Sequence, residues 1–201
     1  MPIAAVNGRK FLFIHVPKTG GMALAAFLNR HAAVSLEDKV LLDGRLVRAR
    51  HLHGAAYERL FAPNEFDWAF TVVRHPVGKL VSEYAFQTRK SGFHVQNLMS
   101  FPLWLRYSFA RARLSPGTRD NHFRPQSEFL CFGCDVFRLE EGLDAVAAAF
   151  ARHAGLPAGL TIEARNQSPP RRVDIARAER KLIAERYAAD FERFGYDPEG
   201  S

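Results

Sequence analysis

Five consecutive residues, Pro17-Lys18-Thr19-Gly20-Gly21, combine a cation, a hydroxyl and two glycines. Glycines let a backbone turn tightly and bring its N–H groups close to a ligand, and a helix starting there adds partial positive charge. Such a turn suits an anion. It is not the loop G-x-x-x-x-G-K-[ST], in which the lysine follows the last glycine, because Lys18 precedes both glycines. Arg74 closes a later apolar run, where a guanidinium is costly unless paired or offered to a ligand. Ser82, about two helical turns further on, can bring a hydroxyl toward the same anion. Each has a plainer reading: a strand-to-helix turn, a structural ion pair, a surface serine. His51-Leu52-His53 lacks the ligand spacing of a metal site, so no metal is expected. Cys131 and Cys134, the only cysteines, cannot supply a disulfide framework or a four-cysteine zinc site, and they read as two buried thiols.

Hydrophobic spacing indicates the elements that must position these groups. Phe11 to Val16 is a continuous apolar run, predicting a buried strand, and Leu24, Phe27 and Leu28 put one face of a helix beginning near Gly21 on a core. The grammar repeats at Ala69 to Val73, followed by Val77, Leu80, Val81 and Tyr84 at helical spacing, with Pro76 suited to the first helical turn. Val136 to Leu139 is a third strand candidate, followed by Leu143, Val146, Ala147 and Phe150. Arg45 to Arg50 is a weaker strand leading into His51. Ile183, Tyr187, Phe191 and Phe194 predict one last amphipathic helix. Alternation of this kind implies an α/β fold with a mostly parallel sheet flanked by helices. Ligands of such sheets bind beyond the carboxyl ends of the strands, where Pro17 to Met22, His51 to His53 and Arg74 to Pro76 all fall.

The 201 residues are 47% hydrophobic and 24% charged, which suits one globular domain. No apolar run approaches the roughly 20 residues of a membrane span. The amino end shows no secretory pattern, giving the expectation of a cytoplasmic protein. Lys+Arg number 28 against 21 Asp+Glu, a net charge of +7 that favours anionic partners. The arginines are dispersed among acids without the basic block of a nucleic-acid tail, so no nucleic acid is expected. Arg106 to Arg124 and Arg165 to Lys181 are locally rich in basic residues.

Four blocks in order, FIHVPKTGGMAL, FTVVRHPVGKLVSEYAF, DNHFRPQSEFL and RYAADFERFGY, resemble the successive signatures of one family. It is the PAPS-dependent carbohydrate sulfotransferase family that includes heparan sulfate 2-O-sulfotransferase and the chondroitin sulfotransferases, here in a compact bacterial form. The resemblance runs from Phe11 to Tyr196. It implies a P-loop-like three-layer fold and a single sulfotransferase domain over 1–201. The implied reaction moves a sulfonate from 3′-phosphoadenosine 5′-phosphosulfate (PAPS) to a hydroxyl of a saccharide or glycolipid. By matching positions, Pro17, Lys18, Thr19, Gly20, Gly21 and Met22 form the 5′-phosphosulfate loop, and Arg74 and Ser82 hold the 3′-phosphate. The resemblance also places a histidine base after the second strand: His53, with His51 as the alternative. His122 and Gln126, in H-x-x-P-Q, are expected on the acceptor side. Met22 stands where the family usually has Thr or Ser, and His75 and Lys79 replace an acidic or amide residue and an arginine. Asn166 to Arg172 sits where the family has a late nucleotide-contacting loop.

Sulfuryl transfer needs an aligned acceptor oxygen, a base for its proton, and positive charge where the leaving phosphate gains charge. Lys18 fits the last role, and an imidazole near neutral pH fits the second. Two other readings compete. A nucleotide-dependent kinase needs a lysine directly after the glycine loop and an Asp for Mg²⁺, and the lysine is misplaced. A non-catalytic polyanion-binding module leaves the ordered blocks unexplained. Gly92 to Arg119 reads as a loop whose Phe93, Phe101, Trp104, Tyr107 and Phe109 either stack on sugar rings or pack into a core.

Overall fold

Asn7 and Gly8 both take positive φ, 51° and 75°, and the two-residue turn they make folds β1 (Pro2–Val6) back on β2 (Arg9–Ile14), with Val6 paired to Arg9. Positive φ at both central residues matches the twist of an antiparallel hairpin. The computed structural model describes residues 2–36, 39–42, 44–88, 98–163 and 173–200. Phe93 and the segment 166–172 lie outside them. The chain forms two compact units, Met1–Val73 with Glu128–Asn166 and Arg74–Ser127 with Gln167–Ser201.

The first unit holds a five-stranded sheet in the order β3-β1-β2-β6-β7, where β3 is Ala33–Leu36, β6 is Trp68–Val73 and β7 is Asp135–Arg138. The α/β class and the mostly parallel sheet are as expected, with one difference: β1 runs opposite to the other four strands. β2, β6 and β7 run parallel, whereas β1 is antiparallel to both β2 and β3. The tight Asn7-Gly8 turn accounts for the difference, since a parallel neighbour would need a long crossover. Successive side chains of β2 point to opposite faces. Phe11 and Phe13 pack with Leu24 and Phe27 of α1 (Gly21–His31) and with Phe150 of α5 (Asp144–Ala154). Leu12 and Ile14 pack with Leu52 and with Tyr57 of α2 (Gly54–Leu60). With both faces covered, Phe11 to Ile14 of β2 reads as an apolar run, and β6 is apolar but for buried Thr71. The expected strand at Arg45 to Arg50 is β5 (Arg45–Arg48). It joins β4 (Lys39–Leu42) in a separate antiparallel hairpin and not the main sheet.

The second unit is helical among the described residues. Val77, Leu80 and Tyr84 of α3 (Pro76–Gln87) share a core with Phe101, Trp104, Leu105 and Phe109 of α4 (Phe101–Leu114), with Ile183 of α6 (Arg177–Arg186) and with Phe191 of α7 (Ala188–Phe194). Two expectations are corrected here. The segment read as a loop contains α4, whose Phe101, Trp104 and Phe109 are core residues while Tyr107 is exposed. The last helix is two, parted at Tyr187 (φ −111°, ψ 26°), whose buried hydroxyl donates to the Phe123 carbonyl at 3.1 Å. No helix among the described residues is long and apolar enough to cross a membrane.

Candidate active site

β2 ends at Ile14, and the chain turns through Pro17 to Gly20 before α1 begins. Lys18 (φ 70°) and Gly20 (φ 87°) both lie in the left-handed region. That conformation is ordinary for glycine and costly for lysine, so the turn at Lys18 is held by its surroundings. One tether is Thr19, fully buried, whose Oγ donates to the Val16 carbonyl at 2.9 Å. At the start of α1 the Gly20 carbonyl accepts from the N–H groups of Ala23 and Leu24. The first N–H groups of any helix have no acceptor within it, and the first turn of α1 carries no acidic side chain. Partial positive charge therefore accumulates beside Lys18. Met22, on this first turn, has its side chain half-exposed.

His15 was missed in the sequence. Its ring is buried, stacks on Phe13 with centroids 5.3 Å apart, and meets the edge of His51 at 4.8 Å. A Cβ on Gly21 would lie 1.8 Å from His15 Nε2, so residue 21 must be glycine for the helix to start against this ring. His15 thus ties the glycine turn to the histidine segment. His51 is buried, whereas His53 is partly exposed and stands immediately before α2 as its N-cap. A polar residue inside the apolar run FLFIHV was the signal that could have exposed His15.

In the second unit, Arg74 stands one residue before His75, the N-cap of α3, and its guanidinium lies over the first turn of that helix. A Cβ on Gly78 would be 3.0 Å from Arg74 Nε and 3.6 Å from Nη2. Gly78 and Ser82 are four residues apart on α3 and so share a face, which puts the guanidinium and the Ser82 hydroxyl on one side of the helix. Gln126, buried, clasps the Arg74 backbone: Oε1 accepts from Arg74 N–H at 2.9 Å and Nε2 donates to Arg74 O at 2.7 Å. Buried Asp190 holds the other end of this arrangement, accepting from the backbone N–H of Gln126 at 2.8 Å and from the N–H and hydroxyl of Ser127 at 2.9 and 2.8 Å.

The departures at His75 and Lys79 have structural explanations. His75 caps α3, its Nδ1 accepting from Val77 N–H at 3.3 Å while Nε2 faces the Asp197 carbonyl at 2.9 Å. With Nδ1 as the acceptor, the ring serves as an amide or carboxylate cap would. Lys79, fully buried, donates to the carbonyls of His122 and Arg124, each at 3.0 Å. Burial lowers its pKa to about 8, against the opposing pull of Asp190 and Glu83.

His122 meets a carboxylate. Its Nδ1 is 2.7 Å from Glu83 Oε2, and Glu83 is buried. Gln87 Nε2 donates to the other oxygen of Glu83, and Trp104 Nε1 donates to Gln87 Oε1 at 2.8 Å. A carboxylate that accepts a hydrogen bond from Nδ1–H fixes the tautomer and the orientation of the imidazole ring. Glu83, Gln87 and Asp190 were all missed, although a carboxylate and an amide at positions that α3 buries were a legible clue. Neither cysteine is in a disulfide: Cys131 is buried and Cys134 partly exposed. Burial, then the neighbouring Cys134, pushes the Cys131 thiol up to about 12, far from the reactive thiolate range.

Residues 6–197, spanning both units, match the family model described as Sulfotransferase family. No curated protein and no solved structure matches the chain.

Proposed function

The chain belongs to the sulfotransferase family and is a sulfotransferase enzyme, and from that premise we propose that its donor is PAPS and its acceptor a saccharide or glycolipid hydroxyl. The observation that carries the donor is the turn after β2, where a left-handed Lys18 sits beside a helix start free of acidic side chains. We read this turn and its sheet as P-loop-like. PAPS supplies, when bound, an activated sulfonate on a phosphate leaving group. The backbone of Pro17 to Met22 takes the 5′-phosphosulfate, and Lys18 meets the charge that the leaving phosphate gains. The Arg74 guanidinium and the Ser82 hydroxyl, on one face of α3, take the 3′-phosphate; Gln126 acts through Arg74 by fixing its backbone. His53, partly exposed at the start of α2, accepts the acceptor hydroxyl's proton, while His51 is packed away beside His15.

One observation favours a second reading of the base. His122 has a buried carboxylate at hydrogen-bond distance, the arrangement that orients a general-base imidazole elsewhere.

Thermal-shift titration tests the donor. The desulfated nucleotide, 3′-phosphoadenosine 5′-phosphate, should raise the melting temperature well above the effect of ATP, with about 2.7 kcal/mol of stabilisation at a hundredfold excess over Kd. Arg74→Ala should abolish most of that preference. Equal shifts with both nucleotides in the unaltered protein would refute the assignment.

A further inference from the structure

Helix α4 is apolar on two opposite sides. Its inner side, Phe101, Trp104, Leu105, Phe109 and Ala112, is core. Its outer side carries Leu103, Tyr107, Ala110 and Leu114, spaced i, i+4, i+7, i+11 and therefore in one line along the helix. Leu103 is 55% exposed, Leu114 90% and Tyr107 36%, and Leu98, just before the helix, is 73% exposed. Exposed arginines flank the line, Arg106 and Arg113 on one side and Arg111 on the other. Arg111 donates to the Tyr107 hydroxyl at 3.1 Å. Arg106 reaches Glu179 at 3.8 Å with its side chain still 67% exposed.

The surrounding sequence sharpens the charge pattern. From Tyr84 to Arg119 there are six basic residues, Arg89, Lys90, Arg106, Arg111, Arg113 and Arg119, and no Asp or Glu, within a chain of net charge +7. An exposed leucine line bordered by arginines needs a partner that is apolar along its middle and anionic at its margins. A second copy of this face would set arginine against arginine. A sulfated polymer would answer the arginines and leave the leucines in water. The interfacial zone of a bilayer containing anionic phospholipid satisfies both, with leucines at the acyl boundary and guanidinium groups among the phosphates.

We propose that the outer face of α4 docks the protein on an anionic phospholipid surface, with the helix in the plane of the interface. At 14 residues α4 lies on a membrane and does not span it. The proposal concerns a surface distinct from the loop, arginine and histidine residues of the proposed site, and it stands whatever the donor is.

Vesicle flotation of the full chain tests it, with vesicles of phosphatidylcholine alone against vesicles in which about a third of the lipid is phosphatidylglycerol. The unaltered protein should float only with the anionic vesicles and be released by salt. Leu103→Gln with Leu114→Gln, which leaves the charge unchanged, should weaken binding by at least about tenfold. Arg111→Gln with Arg113→Gln should weaken it by about fivefold per arginine. Both double variants alter exposed side chains and should keep the parent's melting temperature and its shift with 3′-phosphoadenosine 5′-phosphate. Failure of the unaltered protein to float with anionic vesicles overturns the proposal. So does full binding by the double leucine variant, which would reduce the effect to bare attraction of charge. Sedimentation velocity showing a dimer that the leucine changes dissociate, without vesicle binding, would instead assign the face to a second copy.

Discussion

Gln126 grips both polar groups of the Arg74 backbone, accepting from its N–H at 2.9 Å and donating to its carbonyl at 2.7 Å. Arg74 is the residue at which the chain leaves β6 for α3, so the amide sets the point from which the guanidinium extends over Gly78. Gln126→Met keeps the volume but leaves Arg74 N–H and C=O without these partners, costing about 1 to 3 kcal/mol for each buried group left unsatisfied. We expect a lower melting temperature and, at temperatures where the variant is folded, weaker binding of 3′-phosphoadenosine 5′-phosphate with little change in ATP binding. Calorimetric titration of both nucleotides checks this; an equal loss for both would make Gln126 a general structural residue.

Lys18 should matter more to turnover than to nucleotide affinity. If Lys18 meets the leaving-group charge as proposed, its charge is needed most as the bridging oxygen separates from sulfur, and Lys18→Ala should lower kcat by about 10²-fold or more. Steady-state rates beside equilibrium binding of the desulfated nucleotide separate the two effects. A variant with normal kcat and weakened binding would make Lys18 an anchor.

The histidines are separated by a set of four variants. His53→Ala should lower kcat by about 10² to 10⁴ with nucleotide binding kept, because the base touches only the acceptor. If His122 is the base instead, His122→Ala takes the large loss, and Glu83→Gln also lowers kcat with nucleotide binding kept, because the ring loses the carboxylate that orients it. With His53 as base, Glu83→Gln keeps the parent's kcat. His51→Ala is the control within the same segment.

Lys79 makes stability depend on alkaline pH in an unusual direction. Its folded-state pKa of about 8 lies below the ordinary lysine value of 10.5, so between these values the unfolded chain binds more protons than the folded one. Stability contributed at this site therefore rises with pH through that window. Chemical denaturation at pH 7 and pH 10 should show the parent gaining stability relative to Lys79→Met on going alkaline. A difference that stays constant with pH would mean that Lys79 titrates normally.

Tyr57 offers a stabilising substitution. Its side chain is fully buried and its hydroxyl has no hydrogen-bond partner among the described residues, while desolvation drives its pKa upward. Tyr57→Phe removes that polar atom and keeps the ring, so we expect a gain of about 1 kcal/mol. A loss of similar size in urea denaturation would show that the hydroxyl is satisfied in solution.

Much of the fold was legible because local pattern and tertiary burial agree. Phe11 to Ile14 and Ala69 to Val73 lie on strands buried on both faces, and Pro76 occupies the first turn of α3 as its fixed φ favours. Other signals were present and went unread. Asn7-Gly8 is a strong hairpin marker, and Phe101, Trp104, Leu105, Phe109 and Ala112 keep helical spacing through the segment taken for a loop. For the candidate site, residue type pointed to the glycine turn and to Arg74. It could not reveal Gln126 as a clasp on Arg74 or Glu83 as the partner of His122, since those pairs are separated by 52 and 39 residues and depend on tertiary packing.

The two tryptophans fall one to each unit. Trp68 on β6 stacks on Phe70 at 4.3 Å and on His153 at 4.4 Å, and Trp104 on α4 donates to Gln87 beside the Glu83–His122 pair. The protein therefore carries a built-in optical label in each half. Trp68→Phe leaves an emission reporting only the helical unit, and Trp104→Phe one reporting only the sheet. Denaturation followed in the two variants reads directly whether the halves melt as one cooperative body or in sequence. Quenching of each indole during titration with nucleotide assigns the conformational response to one half or the other.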